Sequence, residues 1–313
     1  LPTLGRSLSF PMVDSADAPI RFLNRSTGEV EEEEIYGESF LRWAYANPLG
    51  RATVWAIARR AAFSKFYGWR MNQPPSATRI APFLEEFGLD KSDFLEPPES
   101  FTSFNAFFSR KLKPEARPID SDPATVVFPA DGRHLAIPEL GKEQGFFVKG
   151  QRFELAKLLD DTDLASDFEG GTLVLSRLCP VDYHRFHFPV EGIPGEARRI
   201  KGHLYSVSPL ALRRRLAYLW ENTRTLCLIE SDSLGKVATI EVGATCVGSI
   251  QHTFQPGKTV SKGAEKGYFE FGGSSTITLF QRGAIQLADD LSEQGPRQLE
   301  VYAKMGEAMG SLA

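Results

Sequence analysis

Ser274 follows two glycines in Phe271-Gly272-Gly273-Ser274-Ser275-Thr276 and precedes the strand-like run Ile277-Thr278-Leu279-Phe280. Glycines let a backbone bend sharply and let a second group come close. Upstream, Tyr268-Phe269-Glu270-Phe271 alternates as a strand does. A hydroxyl held in a tight turn between two strands can act as a nucleophile, on a bound substrate or on its own peptide bond. The same residues also make an ordinary hairpin turn. A hydrolase nucleophile elbow fits poorly. Gly-x-Ser-x-Gly needs glycine at 276, which is Thr276, and a helix after the serine, where a β-branched run follows.

The chain has 5 histidines, and two of them sit in Asp182-Tyr183-His184-Arg185-Phe186-His187-Phe188-Pro189. A spacing of three puts His184 and His187 on opposite faces of a strand or on one face of a helical turn. Two readings stand: a pair of structural imidazoles, or a general base and a proton donor working near neutral pH. No Cys or Glu companion stands at ligand spacing, so no metal is expected. Asp131, in Pro129-Ala130-Asp131-Gly132-Arg133, is either turn chemistry or the third group that orients an imidazole. His134, His203 and His252 read as structural.

These residues need a scaffold, and the 313 residues, 42% hydrophobic, suffice for one large core or two smaller ones. A net charge of −4 gives no reason to expect nucleic acid as a partner. Cys179, Cys227 and Cys246 lack metal spacing and read as reduced, buried thiols. The chain begins at Leu1, which leaves room for a removed targeting segment. Residues 1–37 read as a loose, strand-poor lead-in, with Glu31 to Glu34 as a solvated edge. Residues 38–118 read as helical. Between Arg42 and Arg70, aromatics such as Trp43, Trp55 and Trp69 interleave with basic residues and no Asp or Glu occurs. That pattern suits two helices broken at Asn47-Pro48, either docking on an anionic membrane surface or capping the core. Ser76 to Gly88 and a segment capped by Thr102 or Ser103 follow as helices. Residues 119–313 turn to short apolar runs, among them 126–128, 146–148, 172–175, 226–229, 237–242 and 245–250, with one helix from Pro209 to Trp220. The expected fold class is α+β: an antiparallel β-rich core with an N-terminal helical region.

Four motifs in order then match one family. Phe104-Asn105-Ala106-Phe107-Phe108-Ser109-Arg110-Lys111-Leu112-Lys113-Pro114, Pro129-Ala130-Asp131-Gly132, Asp182-Tyr183-His184-Arg185-Phe186-His187 and Phe271-Gly272-Gly273-Ser274-Ser275 resemble the phosphatidylserine decarboxylases. The last is similar to that family's Leu-Gly-Ser-Thr self-cleavage motif, with Gly272 for Leu and Ser275 for Thr. Phe66-Tyr67-Gly68-Trp69 and Met305-Gly306-Glu307 fit as well, so the likeness runs from about residue 20 to the C-terminus.

The resemblance implies a proenzyme that cuts itself between Gly273 and Ser274 into a β chain (1–273) and an α chain (274–313). Ser274 would attack the Gly273 carbonyl, His187 would take its proton and Asp131 would orient His187. Ser274 would become a covalent pyruvoyl cofactor that binds the amine of phosphatidylserine as a Schiff base. His184 would return the proton after carbon dioxide leaves, giving phosphatidylethanolamine. The resemblance further implies a homodimer and a peripheral membrane enzyme, on the cytoplasmic face of the cell membrane. A serine hydrolase using Ser274, His187 and Asp131, a non-catalytic membrane-binding module, and a decarboxylase for another serine-headed lipid are the alternatives.

Overall fold

The computed structural model describes residues 19–313 other than 36, 141–145, 149–150, 246–249 and 273. Ser274–Phe280 is the middle of a 10-stranded sheet. Its one neighbour is Gly235–Val242, its other Thr172–Leu178, both antiparallel. The order continues outward to Arg224–Ser231 and Arg198–Ile200 on one side. On the other it runs through Gly132–Ile137, Glu300–Ala303, Arg21–Asn24 and Glu29–Glu32. All 7 residues of Ser274–Phe280 are buried. Ile277 and Leu279 join one apolar core with Leu175 and Ile240, while Phe280 joins a second with Val174 and Val237. A strand with apolar contacts on both faces needs the β-branched run that its sequence shows.

A 3-stranded sheet, Ile250–His252, Glu265–Phe269 and Arg185–His187, lies beside the large one. Phe186 and Phe269 pack with Leu178 and Ala130, which join the two sheets. Short helices Leu155–Leu159, Thr162–Asp167, Pro209–Arg214, Tyr218–Glu221 and Asp289–Gln294 interrupt the β region, where one was expected; among the described residues the other α-helices lie in the N-terminal part. That part holds Glu38–Ala46, then Pro48–Thr53 capped by Asn47, a π-helix Val54–Ala58, Ala61–Met71, Ile80–Phe87 ended by Gly88, and Phe104–Phe108 capped by Ser103. Tyr67, Phe104 and Phe108 pack on Phe271, with Phe83 and Phe107 behind them, so the helical part closes over the turn before Ser274. The α+β expectation holds.

Two further expectations of secondary structure differ from what is seen. The lead-in forms a hairpin, Arg21–Asn24 with Glu29–Glu32, whose first strand joins Glu300–Ala303 in parallel. Its partner lies far along the chain, beyond the reach of local patterning. The segment Pro209 to Trp220 breaks into Pro209–Arg214 and Tyr218–Glu221, because the backbone at Arg215 is extended. Of the run 245–250, residues 246–249, including Cys246, lie outside the described residues.

Glu33 is not a solvated edge residue. Its side chain is 2% exposed and pairs with Arg177 at 2.7 Å, while Arg177 also holds Glu300. Burial alone would raise the Glu33 pKa, but the Arg177 guanidinium outweighs it and holds the carboxyl below the ordinary glutamate range. The stability this pair contributes is full above that ordinary range and is lost as pH falls through the depressed folded value. Glu33→Ala leaves a buried cation short of a partner and is expected to cost about 3–5 kcal/mol. Urea unfolding measures this, and a loss below about 1 kcal/mol would contradict the assignment of Glu33 to the buried network.

Candidate active site

Ser274 is 1% exposed. Its Oγ lies 3.2 Å from Nδ1 of His184. The other nitrogen of that ring, Nε2, is 2.9 Å from the Cys179 carbonyl oxygen. A carbonyl only accepts, so Nε2 carries the hydrogen and Nδ1 of the neutral ring accepts from the serine hydroxyl. Phe108 stacks on the imidazole with centroids 3.9 Å apart. Complete burial pushes the His184 pKa down to about 3, against a smaller upward pull from the Cys179 carbonyl.

The turn before Ser274 is held from outside. Phe271 N–H donates to Asn105 Oδ1 at 2.7 Å. Gly272 has φ 139°, a conformation that residues with a β-carbon rarely adopt. Gly273 lies outside the described residues. Gly132 explains the glycine after Asp131: an added β-carbon would stand 2.4 Å from the Arg177 carbonyl oxygen.

The expected relay is not present as a chain of hydrogen bonds. The Asp131 carboxylate accepts from Arg117 Nη2 at 2.6 Å and from the Met305 N–H at 2.9 Å. His187 Nδ1 faces the Gly263 carbonyl oxygen at 2.9 Å. That contact places the hydrogen on Nδ1, and Nε2 is buried with no partner among the described residues. Asp131 is nonetheless near: the His187 N–H donates to the Pro129 carbonyl at 2.7 Å. Burial lowers the His187 pKa, and the Gly263 carbonyl and the Glu265 and Asp131 carboxylates oppose that. The structure therefore brings Ser274 to His184, and Asp131 to Arg117. Local reading missed Arg117, Asn105 and Arg110. Arg110 is buried, its pKa is lowered to about 10 by desolvation, and its guanidinium lies 4.7 Å over both Phe94 and Phe107. Its place inside the Phe-Phe-Ser-Arg run was the only signal.

The same face of the strand carries Thr276, whose Oγ1 is buried without a partner among the described residues and so offers an uncommitted donor beside position 274. A cavity of about 330 Å³ reaches Phe271 and Gly272 from the side of the helical part, between Phe40, Leu41, Tyr45 and Tyr67. Among the described residues no group of three His, Cys, Asp or Glu side chains is placed to hold a metal ion.

A buried hydroxyl on a neutral imidazole, at the head of a central strand, defines a class, and the comparisons name it. The family model for phosphatidylserine decarboxylase matches residues 104–311, and the chain belongs to that family. It is similar to curated phosphatidylserine decarboxylase proenzymes. It is 44% identical to that of Chlamydia muridarum over 289 residues, 92% of this chain and 96% of the relative. The proenzyme of Clostridium beijerinckii is 42% identical over 292 residues, covering 93% and 99%. That of Fusobacterium nucleatum is 40% identical, covering 93% and 97%.

A neutral His184 has a pH consequence. Unfolded, the ring binds a proton below about 6.5; folded, it resists until about 3. Stability from this site is full above 6.5 and falls by roughly 1.4 kcal/mol per pH unit as pH drops through that window. NMR titration of the folded, uncut chain should find His184 neutral at pH 5; titration near 6.5 would overturn the assigned tautomer and environment.

Proposed function

We propose that this chain is a self-processing phosphatidylserine decarboxylase that converts phosphatidylserine to phosphatidylethanolamine and carbon dioxide, using a pyruvoyl group made from Ser274. The observation that carries this reading is the buried Ser274 hydroxyl on His184 Nδ1, at the start of a strand paired along both edges.

In maturation, Ser274 Oγ bonds to the Gly273 carbonyl carbon while its proton passes to an imidazole, and the amide C–N bond breaks to leave an ester. Loss of the Cα proton of residue 274 expels Gly273 as a carboxylate and leaves dehydroalanine. Tautomerisation and addition of water then release ammonia. We assign the base as His187. Its Nε2 lone pair is uncommitted among the described residues, and the Asp131 and Glu265 charges favour its protonated form. Asp131 acts through charge, since Arg117 and Met305 occupy its oxygens. For this step Ser274 Oγ turns from His184 to His187.

In turnover, a pyruvoyl carbonyl at position 274 supplies an electrophile for the substrate amine and a sink for the electrons left when carbon dioxide departs. The carbon that loses the carboxylate takes up one proton from solvent, and His184 Nδ1, the ring atom facing position 274, is placed to relay it. Burial of His184 and Ser274 keeps bulk water from that exchange.

The substrate's acyl chains lie in a bilayer, and Phe40, Trp43, Leu49, Trp55, Ile57, Phe66 and Trp69 are exposed on the helices that wall the cavity. Exposed apolar side chains interleaved with arginines suit peripheral docking on the anionic cytoplasmic leaflet of a cell membrane. Among the described residues no helix is long and apolar enough to cross a membrane.

Intact-mass spectrometry of the purified chain should give two polypeptides, with pyruvoyl at the N-terminus of the smaller one. One uncut chain with a free serine would point instead to a hydrolase. Ser274→Ala and His187→Ala should stay uncut. His184→Ala should be cut normally and turn over roughly 10²–10⁴-fold more slowly. Failure of His184→Ala to cleave would move His184 into maturation.

A further inference from the structure

The helices that wall the substrate cavity have a second, polar side. A groove of about 920 Å³ runs there between the π-helix Val54–Ala58 and the segment 202–221. Arg51, Arg59, Arg215 and His203 line it, against one carboxylate, Glu221, which Arg215 already engages. Among the described residues no carboxylate pairs with Arg51 or Arg59. Arg59 is held in place rather than free to wander. Its Nε donates to the Trp55 carbonyl at 2.7 Å, its Nη1 to the Tyr205 hydroxyl at 2.9 Å, and its guanidinium lies 4.7 Å over the Trp55 ring. The π-helix itself sets this position, with the Arg59 N–H reaching back to the Val54 carbonyl at 3.1 Å. One-turn π segments of this kind concentrate at functional sites. Burial, then Arg59, lower the His203 pKa; Glu221 opposes this and Arg60 adds to it.

We propose that this groove holds the phosphate of an anionic phospholipid other than the substrate being turned over. Oriented guanidiniums match phosphate oxygens, and among the described residues Arg51 and Arg59 have no carboxylate partner. Exposed Leu49, Trp55 and Ile57 stand beside the groove, where acyl chains would continue into the bilayer. Ala44, Tyr45 and Val54 line both the groove and the substrate cavity, so a lipid in one steadies the wall of the other. The inference rests on the membrane docking proposed above.

The test compares the full-length chain with two charge-matched variants, R51Q/R59Q in the groove and K65Q/R70Q on the next helix. Each is sedimented with phosphatidylcholine vesicles with and without phosphatidylglycerol, and no phosphatidylserine is present. The unaltered chain should bind phosphatidylglycerol vesicles more tightly. R51Q/R59Q should lose about fivefold per arginine, the factor set by roughly 1 kcal/mol for each cation at a membrane. K65Q/R70Q should lose clearly less. Equal losses would show a diffuse charge effect and overturn the site. Glycerol 3-phosphate at millimolar concentration should not compete; full competition would make the ligand a free anion and overturn the lipid assignment. Decarboxylation of phosphatidylserine in neutral detergent micelles separates the two proposals. Its absence sinks the proposed function, whereas its presence with no difference between the variants sinks only the groove.

Discussion

The backbone pairing of Ser274–Phe280 to Gly235–Val242 on one edge and Thr172–Leu178 on the other is the constraint on which the rest depends. Opposite Ser274 stands Leu178, so the nucleophile's position is tied to the residue just before Cys179, whose carbonyl fixes the His184 tautomer. The same pairing answers a mechanical problem of self-cleavage. A chain cut ahead of residue 274 would lose its small fragment if that fragment were a surface strand. Residues from Ser274 onward begin as an inner strand of the sheet, with two apolar cores on its faces, so a cut ahead of them would remove one covalent bond among many retained contacts.

Charge is distributed around the site in a way that keeps its imidazoles neutral while leaving cations near. His184 and His134 are both pushed down to about 3 by burial. The carboxylates that could have charged them are committed elsewhere: Asp131 to Arg117, Asp182 to Arg133, Glu33 and Glu300 to Arg177. Such buried pairs add little net stability relative to apolar packing, but losing one partner is costly. They tie strands that are distant in sequence and so fix the positions of the reactive groups. The Glu33 pair in particular binds the N-terminal hairpin to the strand opposite Ser274 and to Glu300–Ala303.

The helical part meets the β core at Phe271, and that contact links access to chemistry. Phe104 and Phe108 pack edge-on against Phe271, Phe108 also stacks on His184, and Asn105 holds the Phe271 amide. One short helix, Phe104–Phe108, thereby touches both the turn before Ser274 and the His184 imidazole. The other face of the helical part carries the exposed aromatics and the cationic groove. The exposed aromatics and Ser274 are thus linked through packed aromatic side chains, which transmit displacement because protein interiors are close-packed.

Local chemistry was legible in the sequence wherever a residue's role depends on its neighbours in the chain. The glycines before Ser274, the Ser103 cap, the Gly88 stop, the β-branched run 276–278 and the Asp-Gly pair at 131–132 all announce backbone geometry, and four ordered motifs announced the family. Tertiary structure decided the pairings. That Ser274 meets His184 and that Glu33 is buried follow from segments brought together across long stretches of chain, and Asp131 meets Arg117 only once the chain between them has folded back. A carboxylate written in an acidic run looks solvated until a guanidinium from another strand neutralises it. No local pattern encodes that encounter, because the free energy that creates it comes from apolar faces closing around the pair.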